Sequence, residues 1–259
     1  MPPSLIELLF RSQLRQKLLF LLKRKPRTGA EIQNLFHENL VSVQLQLKVL
    51  MESELIFKVN GVYKLSRIGE VLVWKQQGLL ELVRVFESNS KYWAKRDLSA
   101  LPLFLRKRIG EIGPCELFEP ESAHMFETPR YFVEKLAASK EVLTFVSYFH
   151  PEAPSLYAGL VKRGAELKLC MSKEVAVRLF ENYPKETQIM REAPNSELLL
   201  CSKPVSLPSL VVTDCFMALK LYEVDGRPKD QLLFSSEKRA LLWSRELFIY
   251  YMEASSPLF

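Results

Sequence analysis

The sequence is poor in glycine and histidine, and the spacing of both residues excludes several common chemistries. Its 259 residues include nine glycines, and none lies in a G-x-G, G-x-x-x-x-G-K or G-x-S-x-G pattern. Phosphate-cradling loops and the nucleophile elbows of hydrolases therefore have no support. The three histidines, His37, His124 and His150, lie far apart, and none has a second ligand at a metal-binding spacing. We expect no metal ion, no cofactor and no enzymatic activity.

Cysteine pairs and long apolar runs are absent as well. The four cysteines form no C-x-x-C pair and mostly lie in apolar, strand-like segments, which favours buried free thiols over a redox sensor. No uncharged apolar run approaches the roughly 18 residues that a membrane-spanning helix needs. The apolar stretch 18–22 is too short for a secretory signal. The sequence therefore predicts a cytoplasmic protein that does not enter a membrane.

What the chain does contain is an uneven distribution of positive charge. Residues 1–90 hold 13 Lys and Arg against eight Asp and Glu, whereas residues 91–259 hold 23 against 22. Such a surplus favours nucleic acid, because each cation that neutralises a phosphate releases a condensed counterion. The alternative is a solvated basic face that aids solubility. Length and composition predict two globular domains, residues 1–90 and residues 91–259.

Capping signals predict two helices in the first domain. Thr28 can accept a hydrogen bond from the Glu31 amide, while the Glu31 carboxylate accepts one from the Thr28 amide, which is a capping box. The helix that begins there meets a polar turn at residues 37–39. Ser42 then caps a second helix, predicted over residues 42–53.

A predicted hairpin follows the second helix. Two strand-like segments, residues 55–59 and 62–65, flank Asn60-Gly61, a pair that supplies the two positive φ angles of a type I′ turn. Helix, turn, helix and hairpin in this order predict an α+β winged helix-turn-helix domain, whose second helix enters the major groove of DNA. The alternative is a scaffold of the same shape that contacts no nucleic acid.

The predicted DNA contacts all come from this first domain. Opposite its apolar side, the second helix offers base contacts from Gln44, Leu45, Gln46 and Lys48. Contacts to phosphates or to the minor groove are expected from Arg15, Arg27, Lys58, Asn60 and Lys64. Thr28 and Ser42 complete the predicted interface.

Helical periodicity extends to both sides of this motif. Ser4 and Glu7 form a second capping-box pattern ahead of regularly spaced leucines, which predicts one long helix or two in succession. After the hairpin, Ser66 can cap another helix. Its predicted apolar side comprises Ile68, Val71, Leu72, Leu79, Leu82, Val83 and Phe86.

The second domain alternates between strand-like and helical segments and is predicted to be α/β. Residues 141–147, 152–163 and 165–171 form a strand, a helix and a strand, which implies a parallel pair with a right-handed crossover. Further predicted strands are 197–201, 209–213, 216–221 and 231–234, and the last predicted helix is 236–254.

A ligand site is predicted where the strands of this domain end, because small molecules bind α/β sheets beyond the carboxyl ends of strands. The residues at these ends are Ser147, Tyr148, Phe149, His150, Met171 and Ser172. An aromatic pair, an imidazole and free helix amides suit a small effector, such as an anion. The alternative is that the aromatic side chains belong to the core. Asp214 is a further ligand candidate, although Asp214 and Lys220 also fit an ordinary turn and a solvated edge.

The chain shares short motifs with a known family. In the first domain they are Ser12-Gln13-Leu14-Arg15, Leu47-Lys48, Leu55-Ile56 and Tyr63-Lys64-Leu65-Ser66. In the second they include Tyr92-Trp93, Asp97-Leu98-Ser99, Arg108-Ile109-Gly110-Glu111-Ile112-Gly113, Phe149-His150-Pro151 and Trp243-Ser244-Arg245-Glu246-Leu247-Phe248. Through these motifs residues 5–253 resemble the archaeal winged-helix transcriptional regulators of the filamentation-regulator type, known chiefly from methanogens.

This resemblance implies a dimeric DNA-binding regulator. It also implies a C-terminal effector or dimerisation domain that is distantly similar to TrmB-like sugar-sensing regulators and their phospholipase-D-like fold. Catalytic members of that fold carry H-x-K, whereas the residues two positions after the histidines are Asn39, Phe126 and Glu152. Cleavage of phosphodiesters by that mechanism is therefore excluded.

One position departs from the resemblance. Proteins of this pattern often carry Arg or another polar base reader where this chain has Leu45. Leu45 can instead touch thymine methyl groups, or specificity can depend more on DNA shape.

The leading interpretation is a regulator whose partners are double-stranded DNA, a second copy of the chain and a small-molecule effector. Two rival functions stay open at this point. One is a module that binds a protein of the transcription apparatus, and the other is a catalytic α/β domain tethered to a winged helix.

Overall fold

The chain divides into two compact units, Met1–Leu80 and Glu81–Phe259. The computed structural model describes residues 4–36, 39–119, 130–203 and 206–258, so two positions of the predicted polar turn, 37 and 38, lie outside the described residues, as does 124. The division between the units falls inside one long helix, and the predicted boundary near residue 90 follows the end of that helix. Over the described ranges, every helix is too short or too polar to cross a bilayer.

The first unit combines helices with a small antiparallel sheet. Its helices are α1 (Leu5–Phe10), α2 (Gln13–Arg24), α3 (Gly29–Leu35), α4 (Leu40–Glu52) and the first part of α5 (Arg67–Ser88). Its strands are β1 (Arg27–Thr28), β2 (Ile56–Val59) and β3 (Val62–Leu65), in the order β1-β3-β2. The structure therefore contains the predicted helix, helix and hairpin in the predicted order, and β1 is a short third strand without a sequence signal.

Both predicted capping boxes form. The Glu31 amide donates to the Thr28 hydroxyl at 3.2 Å, and the Thr28 amide donates to the Glu31 carboxylate at 2.7 Å. Ser4 and Glu7 make the same reciprocal pair at the start of α1. The leucine-rich segment that follows is two helices, because Ser12 is extended and its hydroxyl caps α2.

The hairpin has the predicted turn. Asn60 and Gly61 both have positive φ angles, 50° and 81°, as a type I′ turn requires. Within β2 and β3, Phe57 lies opposite Lys64 and Lys58 lies opposite Tyr63.

Helix α5 buries only part of the side that its periodicity predicts. Leu72, Leu82 and Phe86 pack against the cores, whereas Ile68, Val71, Leu79 and Val83 are exposed. Within the first unit Val73 and Gln76 are buried, and the Gln76 side chain donates to the Leu9 carbonyl. The prediction was wrong in part because a 3.6-residue period identifies the sides of a helix without showing which side meets the core.

The second unit is a mixed α/β fold built on one large sheet. Its helices are the remainder of α5, α6 (Ser90–Trp93), α7 (Leu103–Arg106), α8 (Arg130–Ala138), α9 (Ala153–Lys162), α10 (Lys173–Asn182), α11 (Pro184–Glu192) and α12 (Lys238–Met252), with a 3-10 turn at Ile109–Ile112. Its strands are β4 (Glu116–Phe118), β5 (Glu141–Val146), β6 (Glu166–Met171), β7 (Ser196–Cys201), β8 (Ser209–Thr213), β9 (Met217–Lys220), β10 (Leu232–Ser235) and β11 (Ser255–Pro257).

These strands lie in the order β11-β7-β6-β5-β8-β9-β10-β4. The predicted strand-helix-strand unit is β5-α9-β6, and the parallel pairing of β5 with β6 confirms it. Strand β7 is also parallel to β6, whereas β8 runs antiparallel to β5. The edge strands β4 and β11 had no prediction, because three residues are too few for a periodic signal.

Each face of the large sheet is covered by its own hydrophobic core. Alternation along β5 directs Leu143 and Phe145 to one core and Val142 and Val146 to the other. The first core includes Trp243 and other residues of α12, and the second includes residues of α8, α9, α10 and α11. A strand buried on both faces is a continuous apolar run, which is why β5 had a strong sequence signal.

Candidate nucleic-acid interface and ligand cavity

Helix α4 of the first unit begins earlier than its sequence predicts. Its cap is Asn39, whose side chain accepts from the Val41 amide at 3.0 Å. The prediction that Ser42 is the cap was wrong, since Ser42 lies in the first turn of the helix. Asn39 takes this role because a short polar side chain at that position reaches the first free amides.

The exposed side of α4 is a continuous stripe. Each of its residues has another member of the stripe three or four positions away, as neighbours on one side of a helix do. They are Val41, Gln44, Leu45, Lys48 and Glu52. Two of them are apolar, with Val41 70% and Leu45 55% exposed.

The earlier helix start changes which predicted base contacts are available. Ser42 and Gln46 are half-buried. The other predicted base contacts, Gln44, Leu45 and Lys48, are exposed. Val41 was not predicted, although side chains near the start of a groove-entering helix commonly contact base edges. The sequence signal for Val41 was the capping residue Asn39.

One acidic side chain lies on the same stripe. The Glu52 carboxylate is 3.8 Å from the Lys48 ammonium, and both side chains are mostly exposed. An exposed pair of this kind contributes little to stability. It leaves α4 without net charge, since Lys48 and Glu52 are the two charged residues of this helix.

The two lysines of the hairpin lie on opposite faces. Lys58 shares a face with Tyr63, and Lys64 shares the other face with Phe57, because successive residues of a strand point to opposite sides. The Lys58 ammonium lies 4.9 Å from the centre of the Tyr63 ring, and the Lys64 ammonium lies 4.7 Å from the centre of the Phe57 ring. The hairpin therefore offers one cation on each face, with exposed Asn60 at its tip.

A basic groove lies beside Lys64, between the end of α2, strand β3 and the start of α5. Its basic side chains are Lys23, Arg24, Lys25, Lys64 and Lys75. Glu70 and the exposed ring of Trp74 also line it, and the Lys75 ammonium is 4.7 Å from the centre of that ring. Only Lys64 among these cations was a predicted DNA contact. The others belong to the basic surplus of residues 1–90.

Three further predicted DNA contacts are buried or engaged within the first unit. Arg15 is only 9% exposed, and half-buried Arg27 pairs with Glu31 at 3.3 Å. Thr28 donates to the Glu31 carboxylate from its amide at 2.7 Å and from its hydroxyl at 3.1 Å, and these two hydrogen bonds hold the pKa of Glu31 below its ordinary value. These side chains serve the local fold, and each would have to leave its surroundings to reach a phosphate.

In the second unit, the structure separates the predicted ligand contacts. Ser147 donates its hydroxyl to the Leu207 carbonyl at 2.7 Å. Met171 is fully buried in the sheet, and the Ser172 hydroxyl caps α10 by accepting from the Val175 amide. These three side chains therefore stabilise the carboxyl ends of the strands and do not surround a shared space.

Asp214 lies at the opposite end of β5. Strand β8 is antiparallel to β5, so the turn that follows β8 returns to the start of β5, where Asp214 accepts from the Lys140 amide at 3.1 Å. The prediction that Asp214 and Tyr148 contribute to one site was wrong, because β8 runs antiparallel to β5. Sequence alone does not give the direction in which two distant strands pair.

The three remaining predicted contacts, Tyr148, Phe149 and His150, line a cavity of about 120 Å³. It lies between strands β5, β6, β8 and β10 and helices α8, α9 and α10. Lys220 and Asp230 also line it, and their charged atoms are 2.8 Å apart. The interpretation of Lys220 as a solvated edge residue was wrong, because its side chain is only 19% exposed. The lining comes from segments far apart in sequence, so no local motif predicts it.

Potential metal ligands are scattered over the described part of the chain, and one of its four cysteines is exposed. There, no group of three or more His, Cys, Asp or Glu side chains is arranged to hold a metal ion. All four cysteines are free, and Cys115, Cys170 and Cys201 are buried as predicted. Cys215 is exposed and corrects that prediction. Burial raises the pKa of Cys115 and of Cys170 to about 12.

Sequence comparison relates the chain to one regulatory protein. The model of the middle domain of the methanogenesis regulatory protein FilR1 matches residues 125–254. FilR1 from Methanothrix harundinacea (strain 6Ac) is 21% identical over 253 residues, which are 95% of this chain and 56% of that protein. The chain thus spans about half the length of this curated relative.

Solved structures show weaker likenesses. TrmBL2, described as an archaeal chromatin protein with a novel mode of DNA binding, is 17% identical over 98% of each chain, with a TM-score of 0.46. The dimethyltransferase RosA from Streptomyces davawensis is 14% identical over 74% of this chain and 62% of that chain, with a TM-score of 0.23. Neither structure is close enough for its chemistry to be transferred to this chain.

Proposed function

The chain belongs to the family defined by the FilR1 middle domain, and we propose that it is a transcriptional regulator whose first unit binds double-stranded DNA. That unit acts as a winged helix-turn-helix, with α4 in the major groove and the β2–β3 hairpin along the phosphate backbone. The exposed stripe of α4 carries the proposal. The opposite side of α4 is anchored in the core by Val43, Leu47 and Leu50, and a helix free along one side fits a major groove.

Four side chains of α4 are the proposed base contacts. The amide of Gln44 matches the neighbouring donor and acceptor of adenine, and Lys48 matches the acceptors of guanine. Val41 and Leu45 match the methyl group of thymine. One cation among two apolar side chains and an amide favours a site richer in A·T than in G·C pairs.

The hairpin and the basic groove supply the proposed phosphate contacts. Lys58, Lys64 and Asn60 lie at the hairpin, and Arg24 and Lys25 lie in the groove beside it. Cations that neutralise phosphates contribute affinity independently of sequence and make it fall with salt. Arg15, Arg27 and Thr28 are not included, because the first unit already engages their side chains.

The second unit is proposed to sense an effector and to act without catalysis. The relative that matches it is named as a regulatory protein, and the H-x-K motif of phospholipase-D-like enzymes is absent from the sequence. The cavity at Tyr148 supports a binding role, since concave and mostly apolar sites are typical of small-molecule recognition.

A homodimer is proposed on the evidence of α5. Ile68, Val71 and Leu79 are exposed along one side of α5 within the first unit, whereas a monomer usually exposes apolar side chains singly. Pairing of two identical helices about a two-fold axis would cover this side in both copies. Light scattering on Val71→Glu tests it: a shift from dimer to monomer supports the assignment, and an unchanged dimer contradicts it.

A protein partner in place of DNA is the second candidate. The apolar side chains Leu40, Val41 and Leu45 and the acidic Glu52 on the exposed part of α4 favour it. The phosphates that flank a groove of DNA repel Glu52, whereas a basic protein surface would attract it.

A gel shift with the intact chain separates these candidates. We expect retardation of the DNA upstream of the protein's own gene, and we expect random DNA to be retarded more weakly. Both complexes should weaken steeply between low and moderate salt. If neither the upstream DNA nor the random DNA is retarded at low salt, the proposed function is overturned and the protein partner is the better candidate.

A further inference from the structure

The cavity of the second unit is a mostly apolar pocket that is partly open to solvent and has a volume of about 120 Å³. Leu169 and Val211 line its sheet side, and Phe132 and Leu136 of α8 line the opposite side. All four belong to the second core. A concave space with apolar walls of this kind is typical of a small-molecule site.

The size and lining restrict what the cavity can hold. An apolar cavity of about 150 Å³ lined by Leu, Ile and Phe stays dry and binds benzene. The present cavity has a slightly smaller volume, and most of its lining side chains are likewise apolar, apart from a polar end. A single ring or a short branched chain fits it, whereas a sugar would place several hydroxyl groups against apolar side chains at a high desolvation cost.

The polar end of the cavity favours a neutral group. Lys220 and Asp230 form an ion pair at 2.8 Å, with side chains 19% and 23% exposed, so their charges offset each other. Tyr148 lines the same space, and burial followed by the negative charge of Asp230 raises the pKa of its hydroxyl. Tyr148 is thus a neutral hydrogen-bonding group at ordinary pH. An anion would meet an already neutralised lysine, which argues against the anionic effector expected from sequence.

We propose that this cavity binds a small neutral molecule with a ring-sized apolar body and one hydrogen-bonding group, as in a phenol or a small alcohol. The body packs between Leu169, Val211 and Phe132, and the polar group points toward Tyr148 and Lys220. This inference deepens the sensing role proposed above and rests on it for the biological consequence of binding. Occupancy of the cavity itself can be tested without DNA.

Calorimetry on the intact chain with three probes tests the ligand class. Phenol should bind, benzoate should bind at least about ten-fold more weakly because its charge must be desolvated, and glucose should give no binding heat. Absence of phenol binding, or equal affinity for phenol and benzoate, would overturn the proposed chemistry.

Filling the cavity tests its location. Val211→Phe adds a ring to the space and should abolish phenol binding, while the circular dichroism spectrum remains that of the wild type. Leu136→Phe on α8 fills the same space from the other side and serves if Val211→Phe does not fold. Val177→Phe, the same change at an exposed position of α10, is the matched control and should bind phenol normally. Normal binding by both cavity variants would refute the location.

A charge change tests the polar end. Asp230→Asn keeps the shape of the side chain and leaves Lys220 without its anionic partner. The ratio of the benzoate affinity to the phenol affinity should then rise about ten-fold relative to the wild type, because an unpaired ammonium stabilises a carboxylate. An unchanged ratio of the two affinities would show that the ligand does not approach Lys220.

Failure of this inference is distinguishable from failure of the regulator function. A chain that retards DNA but binds no phenol would overturn the cavity inference alone. A chain that binds phenol but never retards DNA would overturn the regulator function alone.

Discussion

Gly69, in the first turn of α5, lies so close to the Leu55 carbonyl that a Cβ atom at position 69 would overlap that oxygen. The same oxygen accepts a hydrogen bond from the Ser66 amide at 3.0 Å. The entry to the hairpin and the start of α5 therefore meet at one backbone oxygen. A larger residue at position 69 would displace the hairpin from α5.

Alanine substitutions at two glycines of α5 should have opposite effects. Gly69→Ala should destabilise the first unit by about 1–3 kcal/mol, because the added methyl group meets backbone that has no room to move. Gly78→Ala is the matched control, since nothing lies within 4 Å of its added Cβ. It should stabilise the unit by about 0.5–1 kcal/mol through helix propensity. Urea unfolding followed by circular dichroism measures both, and equal stabilities would contradict the contact.

The capping box at Thr28 should contribute measurably to stability. Thr28→Ala removes the acceptor for the Glu31 amide and should lower the free energy of unfolding of the first unit by about 1 kcal/mol. Thr28→Ser keeps the hydroxyl and should stay close to the wild type. If the Ser and Ala variants are equally destabilised in urea, the hydroxyl is not the cause.

The same capping box should make stability depend on pH. Hydrogen bonds from Thr28 lower the pKa of Glu31 in the folded chain. A carboxylate with a lowered folded pKa stabilises the fold above its unfolded pKa, and this contribution is lost as pH falls through the folded value. The wild type should therefore exceed Glu31→Gln in stability at neutral pH, and the difference should vanish on acidification. Urea midpoints measured from neutral to acidic pH would reveal a constant difference if this account were wrong.

Base and phosphate contacts should be separable by mutation. Gln44→Ala should reduce discrimination at one base pair by about 1–3 kcal/mol. Lys64→Ala should weaken specific and random DNA alike and lower the slope of affinity against salt by about one. Lys162→Ala, an exposed lysine of α9 in the second unit, should change neither property. Fluorescence anisotropy at several salt concentrations measures both effects, and equal losses on both DNAs for Gln44→Ala would remove Gln44 from the base contacts.

The four cysteines should differ in reactivity. The thiolate is the nucleophile, and burial raises the pKa of Cys115 and Cys170 to about 12, so neither should react quickly at neutral pH. Cys201 is also buried, whereas Cys215 is exposed. Titration of the native chain with a disulfide reagent should detect one fast thiol, which Cys215→Ser removes. A second fast thiol in the native chain would contradict the buried positions.

The sequence by itself determined the elements whose signals are local. Thr28 with Glu31, Asn60 with Gly61, and the apolar run of β5 each specify a structure through residues that are neighbours in the chain. Capping, turn geometry and strand burial depend on a few adjacent side chains, so these predictions agree with the structure. The cap of α4 was misplaced at Ser42, because Asn39 was assigned to the preceding turn although it has the same kind of short polar side chain.

Only the tertiary structure decided where distant segments meet. It determined which side of α5 is buried, that Asp214 lies at the opposite end of β5 from Tyr148, and that Lys220 pairs with Asp230 beside an apolar cavity. Periodicity shows that a helix or strand has two sides, but the partner of each side is fixed by packing between segments far apart in the chain. A cavity forms where distant segments pack without filling the space between them. No short stretch of sequence therefore encodes it.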